Sequence, residues 1–147
     1  MESAFFACPS QWIELLPEGV KPARTRTELW GRAWELLVLT PEGCRQLGEG
    51  PVRCRELLMP GGCPPALLQN VEAKTVVAYG LSPRDSLTFS SLTEPVLCIQ
   101  RALPRPDGTV IEPQELPLPP LPESAEKMLP LLGLWLLQMP LTGPLLP

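Results

Sequence analysis

The chain has 147 residues, 21 of them Pro and 11 Gly, with a net charge of −4 and no His. That is enough chain for one domain with a real core. It is too apolar for a disordered protein and too often broken by Pro for a bundle of long helices. The missing His removes Ser–His–Asp triads, Cys–His dyads and His-ligated metal centres.

Twelve Lys and Arg stand against sixteen acids, without a basic cluster, which excludes the dense phosphate neutralisation that nucleic acid requires. Only Asp85 and Asp107 are Asp, and no D-x-D pattern offers a Ca²⁺ or Mg²⁺ loop. The five cysteines, 8, 44, 54, 63 and 98, are odd in number, irregularly spaced and free of C-x-x-C. They read as reduced, mostly buried small hydrophobes of a cytoplasmic protein rather than a disulfide framework or a zinc site. No metal and no cofactor is expected.

Ala4 to Cys8 is continuously apolar and reads as a buried strand. Gln11 to Leu16 reads as a short helix, closed by Pro17 and Gly19. Thr25 to Ala33 reads as a second helix, with Thr25 or Thr27 as N-cap. Glu35 to Thr40 is a second strand, and Pro41 opens a helical segment that ends near Gly48. Val52 to Leu58 is a third strand; Arg53, Arg55 and Glu56 assign it to an edge. A loop over 60–65 and a single helical turn over 66–70 lead to a fourth strand, Thr75 to Tyr79, stopped by Gly80.

This alternation predicts an α/β protein built on a small Rossmann-like sheet of about four parallel strands in the order 3-2-1-4. Residues 1–85 form the alternating part. Residues 86–116 follow as antiparallel strands, with Asp107-Gly108 as a hairpin turn. LPLPPLP makes residues 117–122 a stiff connector, and a C-terminal helix with an apolar tail occupies 123–147. The whole chain, 1–147, is read as one domain. Pro130 is expected to kink the last helix or delay its start. From Met128 to Pro147 no residue is charged, but Pro130, Pro140 and Pro144 leave only Leu131 to Met139 unbroken. That is roughly 14 Å of helix, about half a hydrocarbon core, so a membrane span is not expected.

In open α/β sheets ligands bind outside the carboxyl ends of the strands. Those ends place Cys8, Ser10, Thr40, Gly61, Gly62, Cys63, Tyr79 and Gly80 on one rim, with Arg84 and Asp85 in the polar turn beyond. The plain alternative is that Gly and Pro here serve only as turn residues, with Arg84 and Asp85 a solvated turn. Neither G-x-G-x-x-G nor G-x-x-x-x-G-K-[ST] follows any strand, so NAD, FAD or ATP bound in the usual way is not expected. Cys8, between a strand and a helix, is the thiol whose pKa a helix N-terminus would lower, and Cys63 could approach it across the rim as a redox pair.

The run Lys74 to Leu81 (KTVVAYGL), a polar turn with Asp85, antiparallel strands around a Gly turn and a Leu-rich helix together resemble the last part of the central domain of Mur ligases. The resemblance covers residues 74–138 and implies a related α/β frame. The family's phosphate loop, carbamylated Lys and His-Asn pair have no counterpart, so it carries over no catalytic residue.

The expected function is therefore non-catalytic: binding of a protein partner or self-association, as in a homodimer, through the apolar C-terminal segment. Leu131, Leu134, Trp135, Leu137 and Met139 are the candidate interface residues. The alternative is a ligand-binding or enzymatic module on a nucleotide-binding or nucleotide-sugar-binding frame, using the strand rim.

Overall fold

A computed structural model describes residues 1–139. It is a mixed α/β protein with a mostly parallel sheet and a C-terminal helix. Among the described residues ten strands form: β1 (Ser3–Phe6), β2 (Val20–Ala23), β3 (Ala33–Leu39), β4 (Val52–Pro60), β5 (Val71–Tyr79), β6 (Leu87–Ser91), β7 (Val96–Ile99), β8 (Leu103–Pro104), β9 (Val110–Ile111) and β10 (Gln114–Pro117). The helices are α1 (Pro41–Gln46) and α2 (Ala125–Gln138), with 3-10 turns at Ser10–Leu15, Arg26–Leu29 and Pro65–Leu68.

Eight strands make one sheet in the order β10-β7-β6-β5-β4-β3-β1-β2, parallel from β2 through β6 and antiparallel at β6–β7 and β7–β10. The expected order 3-2-1-4 is corrected. The strands ending at Phe6, Leu39, Pro60 and Tyr79 lie side by side in chain order. The reversal comes from β2, which pairs with the outer side of β1. It went unseen because it is four residues long and holds Pro22.

The crossover from β1 to β2 carries the Ser10–Leu15 turn, whose Trp12 packs on the same face as α2. Every later parallel crossover up to β5 runs the other way across the sheet. Each covers the opposite face with Leu29, Cys44 and Leu47, or Leu67 and Leu68. Right-handed crossovers demand this exchange of faces when the winding direction reverses.

β1 and most of β3 are buried on both faces, as central parallel strands are. β4 is also central, paired with β3 and β5 along its length, which corrects its assignment to an edge. Arg53 and Arg55 are exposed because the flanking elements do not cover that half of the strand. The segment 25–33 is not one helix: a 3-10 turn stops at Leu29, Gly31 takes φ 78°, and Ala33 already opens β3. Asp107-Gly108 does turn a small hairpin, β8–β9, while β10 leaves it to pair with β7.

α2 starts at Ala125 and runs through Pro130 without ending. From Met128 to Leu137 every residue but Trp135 is buried, and Gly133 brings the helix down onto Leu58 of β4 and Leu87 of β6. No helix among the described residues is long and apolar enough to cross a membrane.

Candidate functional site

The winding of the sheet reverses between β1 and β3, and a crevice outside the carboxyl ends of two such strands is where open α/β sheets take ligands. Here β1 ends at Phe6 and Ala7 follows with φ 56°, the only non-glycine at positive φ among the described residues. A left-handed alanine costs about 1–2 kcal/mol. The surrounding bonds hold it: its amide donates to Ala23 O at 3.0 Å, and its carbonyl accepts from Thr40 Oγ1 at 3.4 Å. Thr40 follows β3 directly and also accepts the Gly43 amide at 3.0 Å, capping α1. α1 sits so close to β1 that a Cβ on Gly43 would lie 3.0 Å from Phe6 O. The ends of β1 and β3 and the first turn of α1 are thus one bonded unit.

Above this unit lies a hollow of about 260 Å³, with Ala7, Pro9 and Thr40 as floor, α1 as one wall and α2, through Lys127 and Pro130, as the other. A second hollow of about 330 Å³ shares Pro41, Lys127 and Pro130 and extends to Tyr79, Ser124 and Glu126. The two form one groove from the reversal point toward β5. Each wall carries a cation in a partly exposed ion pair: Arg45 with Glu42 at 2.6 Å, and Lys127 with Glu123 at 3.1 Å. The Arg45 and Gln46 hydrogen bonds hold the Glu42 carboxyl below its ordinary pKa. The Trp12 indole, Lys127 and Gln11 do the same for Glu123, despite the opposing desolvation.

The remainder of the rim is occupied by the protein itself. Asp85, which the sequence places in a solvated turn, is 5% exposed and reaches back under the ends of β4 and β5. Its Oδ2 accepts the Ser82 amide at 3.0 Å. A Cβ on Gly61 would fall 1.8 Å from its Oδ1, and one on Gly80 2.4 Å from its Oδ2. Gly61 and Gly80 therefore make room for a side chain of this chain. Arg84 is exposed, and its carbonyl accepts from Arg101 at 2.6 Å. Gly62 and Ser10 are exposed and line neither hollow. The Tyr79 hydroxyl donates to Leu39 O at 2.7 Å, and burial pushes its pKa up.

Cys8 and Cys63 do not meet: Cys8 packs against the α2 face of the sheet and Cys63 against the α1 face. Burial pushes the Cys8 thiol up to about 11, the reverse of the lowering expected from a helix N-terminus. The turn that follows it is a 3-10 turn with no side-chain cap. Cys63 donates to Pro64 O at 3.8 Å and packs against the apolar cluster that holds Cys44 of α1. Lys127, Arg45 and Glu123 were missed. Their only signal is that each lies in, or just ahead of, a helix that begins near the strand carboxyl ends.

The candidate interface on α2 is corrected too. Leu131, Leu134 and Leu137 lie in the core, with Trp135 and Met139 partly exposed at its margin. The indole of Trp135 donates to Leu15 O at 2.9 Å. The remainder of the proposed surface, residues 140–147, falls outside the described residues.

A separate hollow of about 230 Å³ lies at the amino-terminal side of the sheet, beside Arg53, Arg55 and Lys74. Among the described residues no group of three or more His, Cys, Asp or Glu could hold a metal ion. Comparison with protein-family models, with curated proteins and with solved structures finds no match for the chain.

Proposed function

We propose that the protein binds a small anionic molecule, about the size of a mononucleotide, in the groove at the β1–β3 reversal, and does not transform it. The reading treats the sheet as a reduced Rossmann-like frame with the phosphate loop replaced by side-chain cations. The observation that carries it is the left-handed Ala7, a strained residue at the one point where the winding of the sheet predicts a ligand crevice. The groove is hollow there, while the β4–β5 part of the rim is filled by Asp85.

Lys127 and Arg45 supply the charge complementarity. Their carboxylate partners are partly exposed, and exposed ion pairs are worth little, so an incoming phosphate or carboxylate exchanges with them at small cost. Binding without chemistry fits the two hydroxyls at the groove. Thr40 is committed to Gly43 and Ala7, and Tyr79 to Leu39, so neither is free to act as a nucleophile.

The test is an amide-shift titration of the labelled protein with adenosine monophosphate, inorganic phosphate and citrate at millimolar concentration. The reading expects shifts at Ala7, Thr40, Glu42 and Lys127 for at least one probe, and a loss of affinity of about tenfold in Lys127→Ala. Shifts confined to Arg53, Arg55 and Lys74, or no shift with any probe, would overturn it.

A further inference from the structure

We propose that the protein forms a two-fold dimer by pairing β5, antiparallel, with β5 of a second copy along an edge that the fold leaves open. β5 pairs with β4 along its length. On its other side only Tyr79 is paired, with Leu87 of β6. β6 starts there and runs on past the end of β5, so the large sheet has a step. Among the described residues no strand lies beside residues 71–78 on that side, and no backbone bond other than the ladder with β4 reaches them. A row of unpaired N–H and C=O groups is a template for another strand. The segment holds no proline that would block pairing, and Val71, Ala73, Thr75 and Val76 are all incompletely buried.

The charges on β4 and β5 decide the occupant. Arg53 and Arg55 of β4 and Glu72 and Lys74 of β5 are exposed. Arg53 stands opposite Glu72 and pairs with it at 3.7 Å. Arg55 and Lys74 fall between the pairs Cys54–Ala73 and Glu56–Thr75 and line one hollow, cation beside cation. Among the described residues neither forms an ion pair. Lys74 therefore has a like charge on the β4 side and an open edge on the other.

Antiparallel pairing about a two-fold axis sets each residue against the one equally far beyond the axis. An axis at Glu72 or at Lys74 would bring like charges face to face. An axis at Ala73 sets Glu72 against the partner's Lys74 and Lys74 against the partner's Glu72. The same register sets Val71 against the partner's Thr75 on the opposite face. Opposite charges directly across a strand pair stabilise it, and like charges destabilise it. The strand is self-complementary in that one register, which makes a second copy the fitting occupant. The contact is isologous and closes at two copies. It lies at the amino ends of the strands, away from the groove, and is independent of ligand binding there.

The experiment follows the mass of the full chain by sedimentation velocity from micromolar to millimolar concentration at low salt, and locates the contact by amide hydrogen exchange. The expected result is a reversible monomer–dimer equilibrium in which the β5 amides that do not bond to β4 slow only in the dimer. Lys74→Glu and Glu72→Lys, both at exposed side chains, should each weaken the dimer by about tenfold or more. The two variants mixed, or both changes in one chain, restore the opposite-charge pairs and should restore the dimer. The inference is overturned if the wild-type chain stays monomeric at millimolar concentration or if those amides are already protected in the monomer. It is equally overturned if the dimer protects another surface, or if either single variant dimerises as well as wild type.

Discussion

The indole N–H of Trp12 donates to the carboxylate of Glu123, joining the turn after the first strand to the entry of the last helix across 111 residues of chain. The same carboxylate accepts from Gln11 at 3.4 Å and from Lys127 at 3.1 Å. One acid thus ties α2 to the β1 crossover at the end of the groove. Its hydrogen bonds favour the ionised form and lower its pKa from the ordinary 4.5. The contribution is fully present above that value and is lost as pH falls through the lowered one. Glu123→Ala is therefore expected to lower the melting temperature by a few degrees at pH 7, with the gap to wild type closing in acid. A calorimetric series from pH 3 to 7 measures this; a gap independent of pH would refute the latch. Because Lys127 loses its competitor, the variant should bind an anionic probe no more weakly than wild type.

Gly61 and Gly62 are neighbours with opposite tolerances. A methyl group on Gly61 would overlap the Asp85 carboxylate, whereas nothing lies within 4 Å of one on Gly62. Gly61→Ala should displace Asp85, break its bond to the Ser82 amide and cost about 1–3 kcal/mol. Gly62→Ala should fall within about 0.5 kcal/mol of wild type. Urea denaturation of the two variants side by side decides it, and equal midpoints would show that Asp85 does not need the Gly61 space.

Glu56 is an acid in the interior of a central strand, 2% exposed, with no hydrogen-bond partner on either carboxylate oxygen. Burial pushes its pKa up to about 8 from 4.5, against the pull of the Arg105 guanidinium. The folded state therefore holds it protonated where the unfolded chain ionises it. This group's contribution to stability is greatest below pH 4.5, declines as pH rises to about 8 and is flat beyond, a loss on the order of 5 kcal/mol in all. Glu56→Leu, similar in volume, should remove that slope and be the more stable protein at pH 8. Denaturant midpoints at pH 5 and pH 8 provide the measurement. A wild-type chain whose stability does not fall between those two values, relative to the variant, would contradict the assignment.

The cores of β1 and β3 were legible because unbroken apolar runs bounded by Gly and Pro have few other folded uses; β5 was legible as a strand, but only Val77 and Tyr79 of it are buried and Val76 is exposed. β4 was legible as a strand but not as a central one. Arg53 and Arg55 read as edge polarity, yet they mark an uncovered face, and sequence periodicity does not separate the two. β2 was not legible, since VKPA has neither alternation nor length, and with it went the strand order and the position of the reversal. The site followed the same division. Thr40 and Tyr79 were found because they stand at strand ends, whereas Lys127 and Arg45 reach the groove only through the packing of α2 and α1. Asp85 was misplaced because a carboxylate buried by its own chain looks, in sequence, like any polar turn.

The two outermost strands of the large sheet both carry proline: Pro22 in β2 and Pro117 in β10, with Pro113 just ahead of the latter. Proline cannot donate to a new neighbour, and Lys21 and Glu115 add charge beside it. Growth of this sheet by stacking further copies onto its ends is thereby discouraged on both sides. A chain this rich in leucine needs such stops: as β-structure it would otherwise offer open templates for fibres, and its prolines cap the sheet where assembly would start.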